Sequence, residues 1–594
     1  MLFRSTRSGL RIVGPNSVGI IHHQRRFSLS FTPEVRYARI TAGAIGIVSQ
    51  SGGVCNSLTQ ALNRGVSISH SLSAGNSCDV DVCDLVSYLA EDDDCRAIAL
   101  AFEGVEHPER LVQAGERAFA AGKPLVVFKF ATGSDGAAAA LSHTGALAAS
   151  SAGYTAALSR MGAVLVPSYH ALVETAAFFA KAGRPKAAGV ATVSSSGGFA
   201  VLSADQAEAR GVPMPQPDPV TQQKLDALVP EFGAARNPCD VTAQVRSDPM
   251  MLVNCLRAMF DSPLYGAVLL PFFYAKKNNG DLIQQFSQAA ADAGKIGIAV
   301  WVTDWHSGWG SEELEHDEHI AVFHSMDACM QAVAAWQRWD RQLRDAGRRA
   351  PHERLAPPEA AQAARSAILE STGRSLTERA SKDILALYGI PVARDRLVRD
   401  AGEAIAATAA MQGAVAIKLE SPDILHKSDA GVVRLNLRHE RDIEAACAEI
   451  LANVARHAPD ARINGLLVQE MAPQGVEIMV GARVDPAFGP MVLVGLGGIF
   501  VEVFRDAAIE LAPVNRAQAL GMLERIQPQK MLAGFRGLPA VDREALAGVI
   551  CRLSELIADQ RGLLAEIDVN PVICAGTRLM AVDALLVRTG EQAG

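Results

Sequence analysis

The stretch Ile45-Gly46-Ile47-Val48-Ser49-Gln50-Ser51-Gly52-Gly53-Val54 decides the fold. Ile45 to Val48 predicts a short buried strand, the small residues through Gly53 a tight turn, and the segment from about Val54 to Arg64 a helix. The same order returns about 145 residues later: strand Val190 to Val193, turn Ser194-Ser195-Ser196-Gly197-Gly198, then a helix through Arg210. Ala97 to Phe102, ending at Glu103-Gly104, and Leu125 to Phe130 read as further strands. Short apolar strands alternating with longer amphipathic helices predict parallel sheets, here two related α/β layers. A strand that ends in small residues and opens a helix leaves backbone N–H groups and the positive end of a dipole facing outward. Each turn is therefore either a phosphate cradle or a tight structural corner.

The run Thr132 to Leu141 is rich in Ala and Gly and predicts a flexible loop, after which comes Ser142-His143-Thr144-Gly145-Ala146-Leu147-Ala148. Small residues around His143 offer little apolar surface for packing it. Neutral imidazole is well populated near pH 7 and can act as a nucleophile as well as an acid or base. His143 is thus either a reactive loop histidine or a surface residue.

With 594 residues the chain is long enough for about three to five domains. A net charge of -8 gives no electrostatic reason to expect nucleic acid or an anionic membrane as partner. No apolar run approaches the roughly 18 residues of a membrane span. The ten cysteines include no repeated CxxC, and Cys78 with Cys83 lacks metal-site spacing, so reduced thiols and a cytoplasmic location are expected. Met1 to Arg26 carries five arginines and no acid, superficially like a transit peptide. Leu10 to Ile21 nevertheless reads as strand, Gly-Pro-Asn turn and second strand, the tail end of a folded domain.

From about Gln342 to Arg374 the sequence is rich in Arg, Ala and Pro without a strand signal, and reads as a linker with some helix. A different module follows. Ala414 to Leu419 predicts a strand carrying Lys418 in apolar company, and Leu466 to Met471 one carrying Gln469 and Glu470. Gly475 to Gly481 adds a strand with Glu477, and Glu566-Ile567-Asp568-Val569-Asn570-Pro571 and Asp583 fall on successive strand segments. Asn570 and Asp583 are either solvated strand ends or ligands of one Mg²⁺, which favours one or two carboxylates with phosphate oxygens and water. With Lys418 and the strip Gly495 to Gly498, a nucleotide site is expected. Two other features are read as bland: His316-Asp317-Glu318-His319 as a solvated loop, and His22-His23 with Arg25-Arg26 as surface charge.

Seven segments carry a family resemblance: VSQSGG (Val48 to Gly53), GNSCDVDVCDL (Gly75 to Leu85), SHTGALA (Ser142 to Ala148), NPCDVTA (Asn237 to Ala243), SPDILHKSDAGVV (Ser421 to Val433), VGLGGIFVEVFRD (Val494 to Asp506) and EIDVNPV (Glu566 to Val572). In this order, from about Gly14 to about Val587, the sequence resembles the ADP-forming acyl-CoA synthetases (acetate–CoA ligases), relatives of succinyl-CoA synthetase. The resemblance implies an α/β architecture: a remnant of a Rossmann-like CoA-binding domain at 1–30, flavodoxin-like ligase domains at 31–180 and 181–341, a linker at 342–374 and an ATP-grasp domain at 375–594.

It also implies the reaction of acid, CoA and ATP to acyl-CoA, ADP and phosphate through an acyl phosphate and a phosphohistidine. His143 matches the phosphoryl carrier, Glu103 the carboxylate that orients it, and His426 a second relay histidine. Ser51, Gly52, Gly53, Ser195, Gly197 and Gly198 would cradle phosphate. Lys418, Gln469, Glu470 and Glu477 would bind ATP or ADP, and Asn570 with Asp583 would hold Mg²⁺.

The expected partners are a small carboxylic acid, CoA and phosphate, in a homo-oligomer. Family members begin with a CoA-binding domain of which only GPNSVG (Gly14 to Gly19) is in this sequence, so either a partner chain supplies it, the start site is misplaced, or CoA chemistry has been lost. The alternatives are a CoA-independent ATP-grasp ligase or phosphotransferase, and a non-catalytic homologue. The presence of His143, Glu103, His426, Lys418 and Asp583 speaks against the last.

Overall fold

Apolar runs without alternation become parallel strands here. The computed structural model describes residues 8–31, 44–133, 150–345, 350–371, 373–421, 424, 431–497, 507–526, 529–534 and 537–589. Contacts divide the chain into two units, residues 1–148 with 158–345, and residues 149–157 with 346–594.

The first unit holds two sheets. One comprises β1 (Gly19–His22), β2 (Phe27–Ser30), β3 (Ile45–Ser49), β4 (Ile68–Ser73), β5 (Ala97–Phe102), β6 (Leu125–Lys129) and β7 (Val164–Leu165). Their order is β2-β1-β4-β3-β5-β6-β7, parallel from β4 to β7 and extended at one edge by the antiparallel hairpin β1–β2. The other comprises β8 (Gly189–Ser194), β9 (Cys239–Asp240), β10 (Tyr265–Phe272), β11 (Ile296–Trp301) and β12 (Ile320–Phe323), all parallel in the order β12-β11-β10-β8-β9. Every residue of β3, β5, β8, β10 and β11 is buried, as strands covered on both faces by helices must be. Helices Tyr169–Ala182 and Met326–Arg344 share one core, in which Phe178 meets Trp336 edge-on at 5.4 Å.

In the second unit the strands pair antiparallel. β13 (Asp395–Val398), β14 (Val415–Glu420), β15 (Val433–Leu437) and β16 (Gly465–Glu470) form a sheet ordered β13-β16-β14-β15. A larger sheet runs β19-β18-β17-β20-β21 from β17 (Val476–Asp485), β18 (Gly489–Leu496), β19 (Ala507–Leu511), β20 (Leu564–Ala575) and β21 (Arg578–Ala581), with β22 (Ala584–Arg588) also on β20. In β20, buried Ile567 and Val569 alternate with partly exposed Asp568 and Asn570, which sets both polar side chains on one face. The chain is thus α/β, with two largely parallel sheets in the first unit followed by two antiparallel sheets in the second.

Three expectations need correction. His22 and His23 are buried, at 7% and 2% exposure, because pairing of β1 with β4 brings them against His70 and Ser71. The polar run before β12 is not wholly a solvated loop. It begins as the helix Ser311–His316, whose Glu315 is buried 3.6 Å from Arg64 while His316 and His319 stay exposed. The helix after the first Ser/Gly turn is Gly52–Thr59, continued by a 3₁₀ turn over Gln60–Arg64. All ten cysteines are free, and among the described residues no helix is long and apolar enough to cross a membrane.

Candidate active site

The two Ser/Gly turns are built alike. After β3, the Ser49 hydroxyl accepts from Ser51 N–H at 3.1 Å and donates to the Ser51 carbonyl at 3.0 Å. After β8, the Ser194 hydroxyl does the same with Ser196, at 3.0 and 2.9 Å. Ser51 and Ser196 are the N-cap residues of helices Gly52–Thr59 and Gly197–Arg210, so Ser196 is the counterpart of Ser51, and Ser195 that of Gln50. Ser51 accepts from Val54 N–H, whereas the Ser196 side chain makes no cap bond. Close approach requires glycine at Gly52, whereas Gly197 abuts only the end of a side chain. A Cβ on Gly52 would lie 2.5 Å from Val18 Cγ1, and one on Gly197 2.9 Å from Asp240 Oδ2. A Cβ on Gly53 or Gly198 would meet only a serine hydroxyl, near 4 Å, so these positions face open space from which an anion can reach the helix N-termini.

Glu103 follows β5 and is brought beside the first turn by Gln50. The Gln50 side-chain oxygen Oε1 accepts from the N–H groups of Glu103 and Gly104, at 2.7 and 3.2 Å. At the end of β6, Lys129 is 9% exposed and its Nζ donates to the Glu103 and Phe130 carbonyls. Burial pushes its pKa down to about 8, against the pull of the Glu103 charge. The histidine that this carboxylate was expected to orient, His143, lies outside the described residues, as does His426.

The second unit contains a cavity of about 740 Å³ between its two sheets. Its walls include Lys418, Gln469, Glu470, Glu477, Asn570 and Asp583, which are all six residues expected there for nucleotide and metal. They are not equally available. Lys418 Nζ donates to Glu378 Oε1 and to the Val582 carbonyl, each at 2.8 Å. Glu378 also accepts from Lys382 at 3.0 Å, and Lys382 reaches Gln469 Oε1 at 2.6 Å and Asp395 at 2.5 Å. Burial works against the charge on Lys382, but Glu378 and Asp395 outweigh it and raise the pKa. The Glu470 carboxylate is gripped by Arg394, which donates from its backbone and twice from its guanidinium, at 2.7 to 2.9 Å. Glu477 is exposed to the cavity.

Asp568 lines the same cavity. Its carboxyl pKa is raised by burial, then by the charges of Glu566 and Asp583. A Cβ on Gly497, just past β18, would come within 3.3 Å of Asn570 Oδ1, so glycine there lets the chain pass close to this cluster. Oxygen donors of excess negative charge facing a lysine fit Mg²⁺ with polyphosphate. Glu378, Lys382 and Arg394 were missed because they act from other elements on residues that were found. Asp568 had a usable signal, its i, i+2 spacing to Asn570.

Comparison with known proteins fits this geometry. Residues 367–587 match the ATP-grasp domain family and residues 42–179 the succinyl-CoA ligase-like flavodoxin domain. The chain is 32% identical over 591 residues to the ADP-forming acetate–CoA ligase I of Archaeoglobus fulgidus, spanning 99% of this chain and 83% of that protein. It is 28% identical over 568 residues to the ADP-forming 4-hydroxybutyrate–CoA ligase of Nitrosopumilus maritimus, spanning 95% and 80%. A solved structure of the Ca. Korarchaeum cryptofilum dinucleotide-forming acetyl-coenzyme A synthetase 1, in complex with phosphate and ADP, aligns at a TM-score of 0.51 and 22% identity over 58% of this chain and 73% of that one, a likeness of fold. The chain belongs to the ADP-forming acid–CoA ligase family.

Proposed function

We propose that this chain converts a small carboxylic acid, CoA and ATP to acyl-CoA, ADP and phosphate, with His143 as phosphoryl carrier and His426 as a relay. The observation that carries the reading is the cavity of the second unit, in which Lys418, Glu477, Asn570, Asp568 and Asp583 converge. In this reading an imidazole nitrogen attacks the γ-phosphorus of ATP and ADP leaves. The acid's carboxylate oxygen takes the phosphoryl group from the histidine, and the CoA thiolate then attacks the acyl carbon and expels phosphate.

Glu103, fixed by Gln50, holds one nitrogen of the His143 imidazole so that the other is nucleophilic. The turns at Ser51, Gly52, Gly53 and at Ser195, Ser196, Gly197, Gly198 receive the transferred phosphate. Lys418 meets nucleotide phosphates, Gln469 holds Lys382, and Glu470 and Glu477 shape the nucleotide wall. Asn570, Asp568 and Asp583 would hold Mg²⁺, which supplies neutralisation of the phosphate charge. Phosphoryl transfer is mostly positioning and charge neutralisation, and these are the services the residues can render. The domain bounds 1–30, 31–180, 181–341, 342–374 and 375–594, a homo-oligomeric state and delivery of CoA with help from a partner chain belong to the same reading.

Incubation with γ-labelled ATP and Mg²⁺ tests it. An acid-labile phosphoprotein is expected in the wild type and not in the double variant His143→Ala, His426→Ala. Label that persists in the double variant, or none in the wild type, overturns the phosphohistidine route. ADP release that needs the acid but not CoA would favour a CoA-independent ligase.

A further inference from the structure

The correction at His22 leads to a second polar cluster, in the first unit and outside the site above. His22 on β1, His70 on β4 and Asp92, the C-cap of helix Val82–Glu91, offer ligand atoms that all lie within 4.8 Å of one another. Among the described residues this is the one group of three or more such side chains. We propose that His22, His70 and Asp92 bind one borderline divalent cation, Zn²⁺ by preference, which ties the β1–β2 hairpin to the parallel part of the sheet.

The chemistry starts from the hydrogen bonds. The Ser69 hydroxyl donates to the Ile45 carbonyl at 3.2 Å, so it accepts from His70 Nδ1 at 3.0 Å. His70 Nε2 then lies 3.8 Å from Asp92 Oδ2 and 3.5 Å from the Tyr88 hydroxyl. With the ring proton on Nδ1, the Nε2 lone pair and these oxygens face one another across a gap that a cation fills. The Asp92 side chain is 7% exposed. Its carboxylate accepts from Asp94 N–H at 2.8 Å and from the Tyr88 hydroxyl at 3.0 Å, which hold it in place.

His22 is 7% exposed, and its buried Nε2 makes no aligned hydrogen bond although Asp94 Oδ2 is 3.3 Å away. The two rings stack at 4.0 Å between centroids, tilted by 47°. Both imidazoles are buried, which favours the uncharged form a metal needs.

Two imidazole nitrogens and a carboxylate oxygen are a donor set suited to Zn²⁺, with Asp94 or water as fourth ligand. Ligation through His22 Nε2 moves that ring's proton to Nδ1 and gives up the long 3.3 Å bond from Arg25 N–H, with no net proton release. Tetrahedral bonds of about 2.0–2.1 Å place ligands roughly 3.4 Å apart, so small side-chain rotations close the site.

The test uses the full chain without nucleotide, titrated with Zn²⁺ alone by calorimetry and with Co²⁺ by visible absorption. One equivalent per chain is expected, with the intense spectrum of four-coordinate Co²⁺ and a raised unfolding temperature. His22→Gln and Asp92→Asn, checked for native circular dichroism, should each bind roughly 100-fold more weakly. Failure of the wild type to retain Zn²⁺ at micromolar concentration overturns the site, as does unchanged affinity in both variants. Neither outcome bears on ATP chemistry in the other unit.

Discussion

Lys129 shows how much one backbone clamp can reveal about a charged side chain. Its ammonium sits against the Glu103 and Phe130 carbonyls, and burial holds its pKa near 8 rather than 10.5. Between about 8 and 10.5 the unfolded chain therefore binds more protons than the folded one, so this group makes stability rise with pH across that window. NMR of isotopically labelled lysine should show one amine titrating near 8, and that signal should vanish in Lys129→Met. An ordinary value for every lysine would contradict the burial argument. Glu378 carries more weight, since it faces two buried lysines. Glu378→Leu should cost about 3–5 kcal/mol in denaturant unfolding of the second unit, because it strands both charges. Lys418→Met leaves Glu378 paired with Lys382, so it should lower ATP turnover roughly 100-fold with a smaller loss of stability.

Elements were more legible than their supports. Uninterrupted apolar runs gave away β3, β5 and β8, because a strand covered on both faces has no polar side to betray its period. The hairpin β1–β2 was harder, since β1 owes its place to pairing with β4, 48 to 52 residues along the chain by the register Ile20↔Leu72 to His22↔His70. The burial of His22 and His23 was invisible for that reason. In the candidate site, residues that line a cavity were found from strand patterns, while Glu378, Lys382 and Arg394 act across elements and left no local pattern. The paired turns offer a direct contrast. Ser51→Ala removes a cap bond and should cost about 0.5–1 kcal/mol, whereas Ser196→Ala should leave stability unchanged, because that side chain caps nothing. Gly52→Ala should cost about 1–3 kcal/mol by forcing Val18 and the helix N-terminus apart. Thermal unfolding of the three variants checks this order.

Ligands should act on the whole molecule unit by unit. In differential scanning calorimetry Mg–ATP should raise the transition of the second unit, by about 2.7 kcal/mol at a hundredfold excess over its dissociation constant. A rise confined to the first unit would place the nucleotide elsewhere than the 740 Å³ cavity. The lysine network beside that cavity bears on what happens between turnovers. Lys418 and Lys382 are matched by Glu378 and Asp395 within 2.5 to 3.0 Å, so the positive charges that greet a phosphate are already balanced when none is there. Departure of ADP therefore leaves no pair of buried ammonium groups repelling each other. In the proposed cycle the wall around these two lysines stays electrostatically neutral at its empty stage.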